Sequence, residues 1–214
     1  MSRTALFVID IQRALADDPS TQIPHAKRVV DAGNRILRNG RGIIDKSVMR
    51  GEKASLDIVC VQHEETSEKG NLQRGSREWA LVFPPRDDDW TTSMGNECLV
   101  SKDVRVYIDV VTFDGSADPS PGDTFQSNPN LAAELRERDV GTVVAFGIQS
   151  ECCVLSTCRG ALAAGFKVVL LKGAHSTYDT DEKTALEIEK EVEEALEAEG
   201  ARILSYEEWS NVDD

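Results

Sequence analysis

The sequence predicts an α/β fold, a three-layer αβα sandwich around a mainly parallel sheet of about six strands. Short apolar runs rich in β-branched residues recur along the chain and alternate with stretches whose apolar residues have helical spacing. Runs that are apolar throughout are typical of strands covered on both faces, as they are in parallel sheets. The repeated order of strand and then helix favours helices on both faces of the sheet, joined by right-handed crossovers.

Six strands and four helices follow from these patterns. The strands are expected at residues 5–9, 58–61, 98–100, 142–146, 167–171 and 201–204. The helices are expected at residues 24–38, 129–138, 153–164 and 181–199. The last helix begins with acidic residues and stops at Gly200, which agrees with the usual helix boundaries. Residues 40–55 and 112–130 are predicted to be loops, since the second in particular carries much of the Gly, Pro and Asp.

Length and charge restrict the class of protein. The 214 residues predict a single domain spanning residues 1–214. With 38 acidic and 24 basic residues the net charge is −14, which disfavours nucleic acid and anionic membranes as partners. The start of the chain lacks a secretory cleavage site, no apolar segment is long enough to span a bilayer, and the five cysteines are an odd set. We therefore expect a cytoplasmic protein.

Three polar side chains fall at the ends of predicted strands, where the loops of a parallel sheet converge: Asp10, Lys102 and Cys153. Cys153 begins a predicted helix, where the dipole and free N–H groups would favour its thiolate and could bind an oxyanion. Each residue taken alone also has a structural explanation. Buried cysteines, capping aspartates and solvated lysines are common in folded proteins.

The segment GIQSECCV, followed by a helix and GF, resembles the signature of the isochorismatase-like cysteine hydrolases. The resemblance runs from about residue 6 to residue 209. It includes LFVIDIQ near the start and LVSKDVR in the middle of the chain, together with the blocks VQHEE, GSREWAL, DTF and GAHSTYD. Several matches in the same order make coincidence improbable.

The resemblance implies a catalytic mechanism. Cys153 would be the nucleophile, Asp10 the base that takes its proton, and Lys102 the cation that orients and neutralises charge. The reaction would pass through a covalent acyl-enzyme that water then releases. The backbone N–H groups of Gln149 and Cys153 would form the oxyanion hole, with a cis peptide bond between Ile148 and Gln149.

The function expected from the resemblance is hydrolysis of a small amide-like or related C–N bond in a small-molecule substrate. Two alternatives are a catalytically silent subunit that serves assembly and an isochorismatase-type vinyl-ether hydrolase, for which a cysteine at position 153 is not needed. A redox pair of Cys152 and Cys153 is disfavoured, because neighbouring cysteines form a strained ring. The fold resembled often forms homo-oligomers, so a dimer or tetramer is expected.

Four further side chains are candidates for the substrate pocket: Gln12, Trp79, His175 and Tyr178. For His175 a structural role, with a bond to backbone, is the main alternative. Trp79 is equally compatible with a lid and with the core.

No metal and no other cofactor is expected. The nicotinamidase branch of the resembled family holds a metal with an Asp-x-His pair and a later His. In this chain the residue two places before His63 is Val61, and the other histidines are only His25 and His175. The sequence therefore argues against a nicotinamidase.

One segment departs from the family pattern. Residues 106–122 stand between KDVR and DTF, which are usually close together in the family. The segment opens with apolar alternation and ends in turn residues, so it is interpreted as an extra hairpin or a lid near the site. A neutral loop is another possibility, and a retained intron is a further hypothesis, which sequencing of the mature transcript tests.

Overall fold

Six parallel strands form the central sheet of the protein, in a computed structural model that describes residues 2–66, 68, 70–86, 95–103 and 122–210. In chain order they are β1 (Arg3–Ile9), β2 (Leu56–Glu64), β3 (Glu97–Asp103), β4 (Val140–Ile148), β5 (Lys167–Ser176) and β6 (Arg202–Ser205). Their spatial order is β3-β2-β1-β4-β5-β6, and every neighbouring pair is parallel. The predicted α/β fold with a six-stranded parallel sheet is confirmed.

Helices cover both faces of this sheet. They are α1 (Arg13–Ala16), α2 (Ala26–Met49), α3 (Thr124–Ser127), α4 (Leu131–Glu137), α5 (Leu155–Ala163), α6 (Ala185–Ala198) and α7 (Tyr206–Ser210), and a π-helical turn at Ser150–Val154 precedes α5. Buried residues of α4, α5 and α6 share one apolar cluster, with alternate residues of β1 such as Phe7. Residues of α2 and α7 pack in a second cluster with the other residues of β1, such as Leu6. The sheet is therefore the middle layer of three.

The prediction that residues 40–55 form a loop was wrong for residues 40–49, because α2 continues to Met49. Gly40 is buried in the helix, and a Cβ atom there would lie 3.0 Å from Leu56 Cδ2. This glycine permits close packing of the helix on the sheet, so it does not mark a turn. Ile44 lies eight residues after Ile36 on the same buried face, so the helical period continues past Gly40.

The second predicted loop also contains structure. Residues 112–121 of this loop lie outside the described residues. The predicted insertion at residues 106–122 also lies outside them, except for Gly122. The remainder includes α3, whose N-terminus is capped by Asp123 through a hydrogen bond from Phe125 N to Oδ1 at 2.8 Å. The ring of Phe125 stacks on Phe7, with centroids 5.7 Å apart, which holds this short helix against the sheet.

The centre of the sheet lies between β1 and β4. From β1 the chain proceeds through β2 to β3 on one side and from β4 through β5 to β6 on the other. The chain therefore leaves β1 and β4 towards opposite faces of the sheet, and parallel sheets commonly have a crevice at the carboxyl ends of such a pair of strands. Gly147 allows the two strands to approach closely here, since its φ is +142° and a Cβ atom would lie 2.0 Å from Ile9 O. Within the described ranges, no helix is long and apolar enough to cross a membrane.

Candidate active site

Asp10 and Lys102 form a buried ion pair at the carboxyl ends of β1 and β3. Asp10 directly follows β1 with a positive φ of 48°, and its N–H donates to Val61 O at 3.1 Å, which fixes the turn against β2. Lys102 lies in β3 and its Nζ donates to Asp10 Oδ2 at 2.6 Å. Each side chain is only 1% exposed. The carboxylate and the ammonium are thus held together away from water, although 92 residues separate them in the chain.

Cys153 completes this group. It lies in the π-helical turn that follows β4, and its thiol is in hydrogen-bonding contact with both Asp10 and Lys102. Turns of this kind are rare and often occur at functional sites. The structure therefore brings together the three residues that the sequence nominated from separate segments, and their catalytic roles stay a prediction.

The pKa of the Cys153 thiol is raised to about 12, mainly by burial and also by the charge of Asp10, and the opposing influence of Lys102 is not sufficient to offset these effects. Burial lowers the pKa of Lys102, but Asp10 and Cys153 outweigh it and raise the pKa above its ordinary value. At neutral pH the group therefore holds a protonated thiol beside a charged ammonium. The expectation that a helix terminus favours a free thiolate is not met, because desolvation dominates.

Gly122 supports both Lys102 and the cysteine turn. Its carbonyl accepts hydrogen bonds from Lys102 Nζ and from Thr157 Oγ1, each at 3.1 Å. A Cβ atom at Gly122 would lie 2.9 Å from Cys153 Cα. Sequence reasoning missed this residue as part of the site. Its position directly before the DTF block was the available signal.

The peptide bond between Ile148 and Gln149 is cis, as the resemblance implied. In the turn that follows, the carbonyl of Gln149 accepts the N–H groups of Cys152 at 3.3 Å and Val154 at 3.1 Å. The N–H groups of Gln149 and Cys153 therefore belong to one compact turn. Their use as an oxyanion hole stays a prediction.

Gln12, a predicted pocket residue, is completely buried and its amide braces the loops around the site. Its Nε2 donates to His63 O at 2.9 Å and to Trp79 O at 2.8 Å, while its Oε1 accepts from His63 N at 3.1 Å. These contacts favour a structural role for Gln12. Trp79 is half-buried, and no residue in the described part of the chain accepts a hydrogen bond from its buried indole Nε1.

The other two predicted pocket residues also make internal contacts. His175 is fully buried and its Nδ1 lies 2.8 Å from Ser150 Oγ. Tyr178 is half-buried and its hydroxyl donates to the backbone carbonyl of Thr21. The contacts of His175 favour a structural role, although its partner is the side chain of Ser150 rather than backbone, and a pocket role for the four candidates stays a prediction.

His63 lies next to Lys102 in the register of β2 and β3. Burial lowers the pKa of His63, so the imidazole is neutral at pH 7. Among the described residues its buried Nδ1 has no hydrogen-bond partner, and its Nε2 lies 3.8 Å from Glu65 Oε1. Among the residues that the structure describes, no three His, Cys, Asp or Glu side chains are arranged to hold a metal ion. The absence of a metal at His63 stays a prediction.

Comparison with known proteins identifies the family of the chain. A family model described as "Isochorismatase domain" matches residues 4–198. An uncharacterized isochorismatase family protein of Bacillus subtilis, YwoC, is 26% identical over 188 residues, which cover 86% of this chain and 82% of that protein.

Two solved structures share the fold at low identity. An isochorismatase-like hydrolase from Alkaliphilus metalliredigens is 17% identical with a TM-score of 0.70, and the match covers 100% of both chains. A cysteine hydrolase from Pseudomonas syringae is 15% identical with a TM-score of 0.70, over 97% of this chain and 91% of that one. Since the family model spans most of the sequence, the chain belongs to the isochorismatase family.

Proposed function

We propose that this protein is a cysteine hydrolase that cleaves a small amide-like or related C–N bond, with Cys153 as nucleophile, Asp10 as base and Lys102 as the orienting cation. The observation that carries the proposal is the contact of the buried pair of Asp10 and Lys102 with the half-buried Cys153 at the carboxyl ends of the strands. A buried ion pair in contact with a thiol is costly to maintain for stability alone. It is well suited to moving a proton from sulfur when a substrate binds.

In the first half-reaction, Asp10 removes the proton from Cys153 Sγ as the sulfur attacks the carbonyl carbon. The electron pair of the C=O bond moves to oxygen, and the N–H groups of Gln149 and Cys153 donate hydrogen bonds to the resulting oxyanion. The C–N bond then breaks, and the leaving nitrogen takes the proton held by Asp10. Lys102 stays charged throughout and holds the carboxylate in position.

In the second half-reaction, water is the nucleophile. Asp10 takes a proton from water, the hydroxide attacks the thioester carbonyl, and the C–S bond breaks. The sulfur recovers the proton from Asp10, and the carboxylic acid leaves. A protonated resting thiol suits this cycle, because the raised pKa of Cys153 makes the sulfur a stronger nucleophile once Asp10 has deprotonated it.

The test is turnover of a panel of primary amides, ureides and N-carbamoyl amino acids, measured by ammonia release. We expect Cys153→Ala to abolish turnover and Cys152→Ala, the matched control at the neighbouring cysteine, to retain it. Acid quenching followed by intact mass spectrometry should detect the acyl adduct in the wild type and not in Cys153→Ala. Turnover that survives in Cys153→Ala contradicts the mechanism. A folded wild type that forms neither product nor adduct across the panel contradicts the proposed function and supports the silent-subunit alternative.

The proposal extends to assembly and location. We propose a dimer or tetramer in the cytoplasm that acts on a small-molecule substrate. Light scattering of the purified protein tests the assembly, and a monomeric mass at micromolar concentration contradicts it. Fractionation of the cells that make the protein tests the location.

A further inference from the structure

The end of β5 is in contact with the turn that carries the candidate nucleophile. His175, Ser176 and Thr177 are all completely buried, and β5 lies beside β4 with Gly147 paired to His175. Buried polar side chains need partners, because an unpaired polar group away from water is unfavourable. The partners of these three residues lie in the cysteine turn and on α6.

His175 joins the turn to α6. Its Nδ1 lies 2.8 Å from Ser150 Oγ, and Ser150 is the first residue of the π-helical turn. On the other side of the ring, Nε2 lies 3.5 Å from Glu193 Oε1 on α6, which is beyond an ordinary hydrogen bond. The carboxylate of Glu193 can only accept, so an N–H on Nε2 suits the side of the ring that faces it, and in that tautomer Nδ1 accepts from the Ser150 hydroxyl.

Two contacts hold the carboxylate of Glu193 beside the imidazole of His175. Burial raises the pKa of Glu193, but contacts with His175 and Lys172 outweigh this and lower it below the ordinary value. The carboxylate is therefore ionised at neutral pH. Lys172 Nζ donates to Glu193 Oε2 at 2.7 Å, which leaves Oε1 facing the imidazole.

A second contact fixes the same turn two residues before Cys153. Thr177 Oγ1 donates to Glu151 Oε1 at 2.8 Å. Ser176, between the two, turns to α6 instead and donates to Glu189 Oε1 at 2.5 Å. Consecutive residues of one strand end therefore connect the cysteine turn to α6, through Ser150 and Glu151.

We propose that Ser150, His175 and Glu193 form a buried clasp that positions the turn carrying Cys153, with His175 as the positioning residue. The inference rests on the proposed function, since it assigns a residue that aligns that same nucleophile. The clasp is not a second hydrolytic triad. Ser150 and His175 are each 0% exposed, so no substrate can reach the serine. The clasp acts on the reaction only through the position of the turn.

The position of a reacting group matters because a displacement of about 1 Å can lower a rate by about 100-fold. We expect Ser150→Ala and His175→Gln to lower kcat by about 10- to 100-fold with KM changed less than about threefold, since the turn loses its anchor while the rest of the site stays. His175→Asn should recover most of the rate. The Asn carbonyl can take the place of Nδ1 as acceptor for Ser150, whereas the Gln amide reaches towards Glu193 instead.

The matched control is Lys183→Ala. This variant removes an exposed ion pair with Glu191 on the same helix, α6, and leaves all the contacts of Glu193 in place. We expect its kcat and KM to equal those of the wild type. At position 193, Gln keeps an acceptor for Nε2 and should retain activity, whereas Leu should reproduce the loss seen in His175→Gln.

Hydrogen–deuterium exchange of the peptide 148–156 tests the clasp without any substrate. We expect exchange in this peptide to be at least about tenfold faster in Ser150→Ala and His175→Gln than in the wild type, with α6 unchanged. Exchange equal to the wild type in both variants overturns the clasp. A rate loss that His175→Asn does not recover, and that parallels a loss of folded protein, also overturns it. If the wild type turns over no amide, the proposed function fails, yet the exchange result still decides the clasp.

Discussion

Removal of the Lys102 ammonium tests the buried ion pair most directly. The variant Lys102→Met keeps a chain of similar length and leaves Asp10 without its cation. At the observed separation of 2.6 Å between Nζ and Oδ2, Coulomb's law with an effective dielectric constant of about 20 gives an attraction of about 6 kcal/mol. Relaxation and entry of water reduce this value, and breaking buried pairs typically costs about 3–5 kcal/mol. We expect that loss in the free energy of unfolding, or a drop in Tm of about 10 °C.

The exposed pair of Lys27 and Asp31 supplies the matched control. Their side chains are 87% and 61% exposed, so we expect Lys27→Met to cost less than about 1 kcal/mol. Urea denaturation of both variants gives the comparison. A double-mutant cycle with Asp10→Asn isolates the pair itself, because the double variant leaves no unpaired charge. We expect the double variant to be more stable than Lys102→Met alone.

The pH dependence of this effect has a definite sign. The folded state raises the pKa of Lys102 above its unfolded value of about 10.4, so the stability that this lysine contributes is present in full below that pH. It is lost only as the pH rises through the folded pKa. The cost of Lys102→Met should therefore be constant between about pH 6 and 9. A cost at pH 7 no larger than that of Lys27→Met, or no coupling to Asp10, refutes the account of the pair.

Three further predictions concern the same region. Because the pKa of Cys153 is about 12, its alkylation by iodoacetamide in a Cys152→Ala background should still accelerate above pH 10, and a plateau near pH 9 contradicts this. Gly122→Ala should lower kcat by more than about tenfold, since its Cβ would displace the Cys153 backbone; unchanged kcat in steady-state assays would falsify that. Phe125→Ala should cost about 3–5 kcal/mol in urea denaturation, because the ring packs between Phe7 and Phe166; a cost below about 1 kcal/mol would show the packing to be unimportant.

The strands were predictable because both faces of the sheet are covered. A strand buried on two sides is apolar at every position, and runs such as residues 5–9 have no other simple explanation. The length of α2 was not predictable in the same way. Gly40 has the composition of a turn residue, and only the position of Leu56 against it in space shows that the glycine is there for packing.

The residues of the candidate site were predictable from the sequence, whereas the protonation state of the thiol was not. Asp10, Lys102 and Cys153 were nominated because they follow or end strands and match the family motifs. The protonation state of the thiol depends on how much water the fold excludes, which no local pattern encodes. The inward orientation of Gln12 and His175, which were predicted for the pocket, was not predictable either. Their residue types suit a binding site, and only the contacts with His63 and Ser150 show that their polar atoms face inward.

The position of β1 at the centre of the sheet has a consequence for synthesis of the protein. One edge of β1 can pair with β2 as soon as residue 64 has left the ribosome, but the other edge pairs with β4, which ends at Ile148. During the synthesis of more than half the chain, an apolar strand edge therefore has no partner, and such edges promote association with other chains. We expect nascent chains that end between residues 64 and 148 to depend on chaperones, and we expect the finished protein not to depend on them.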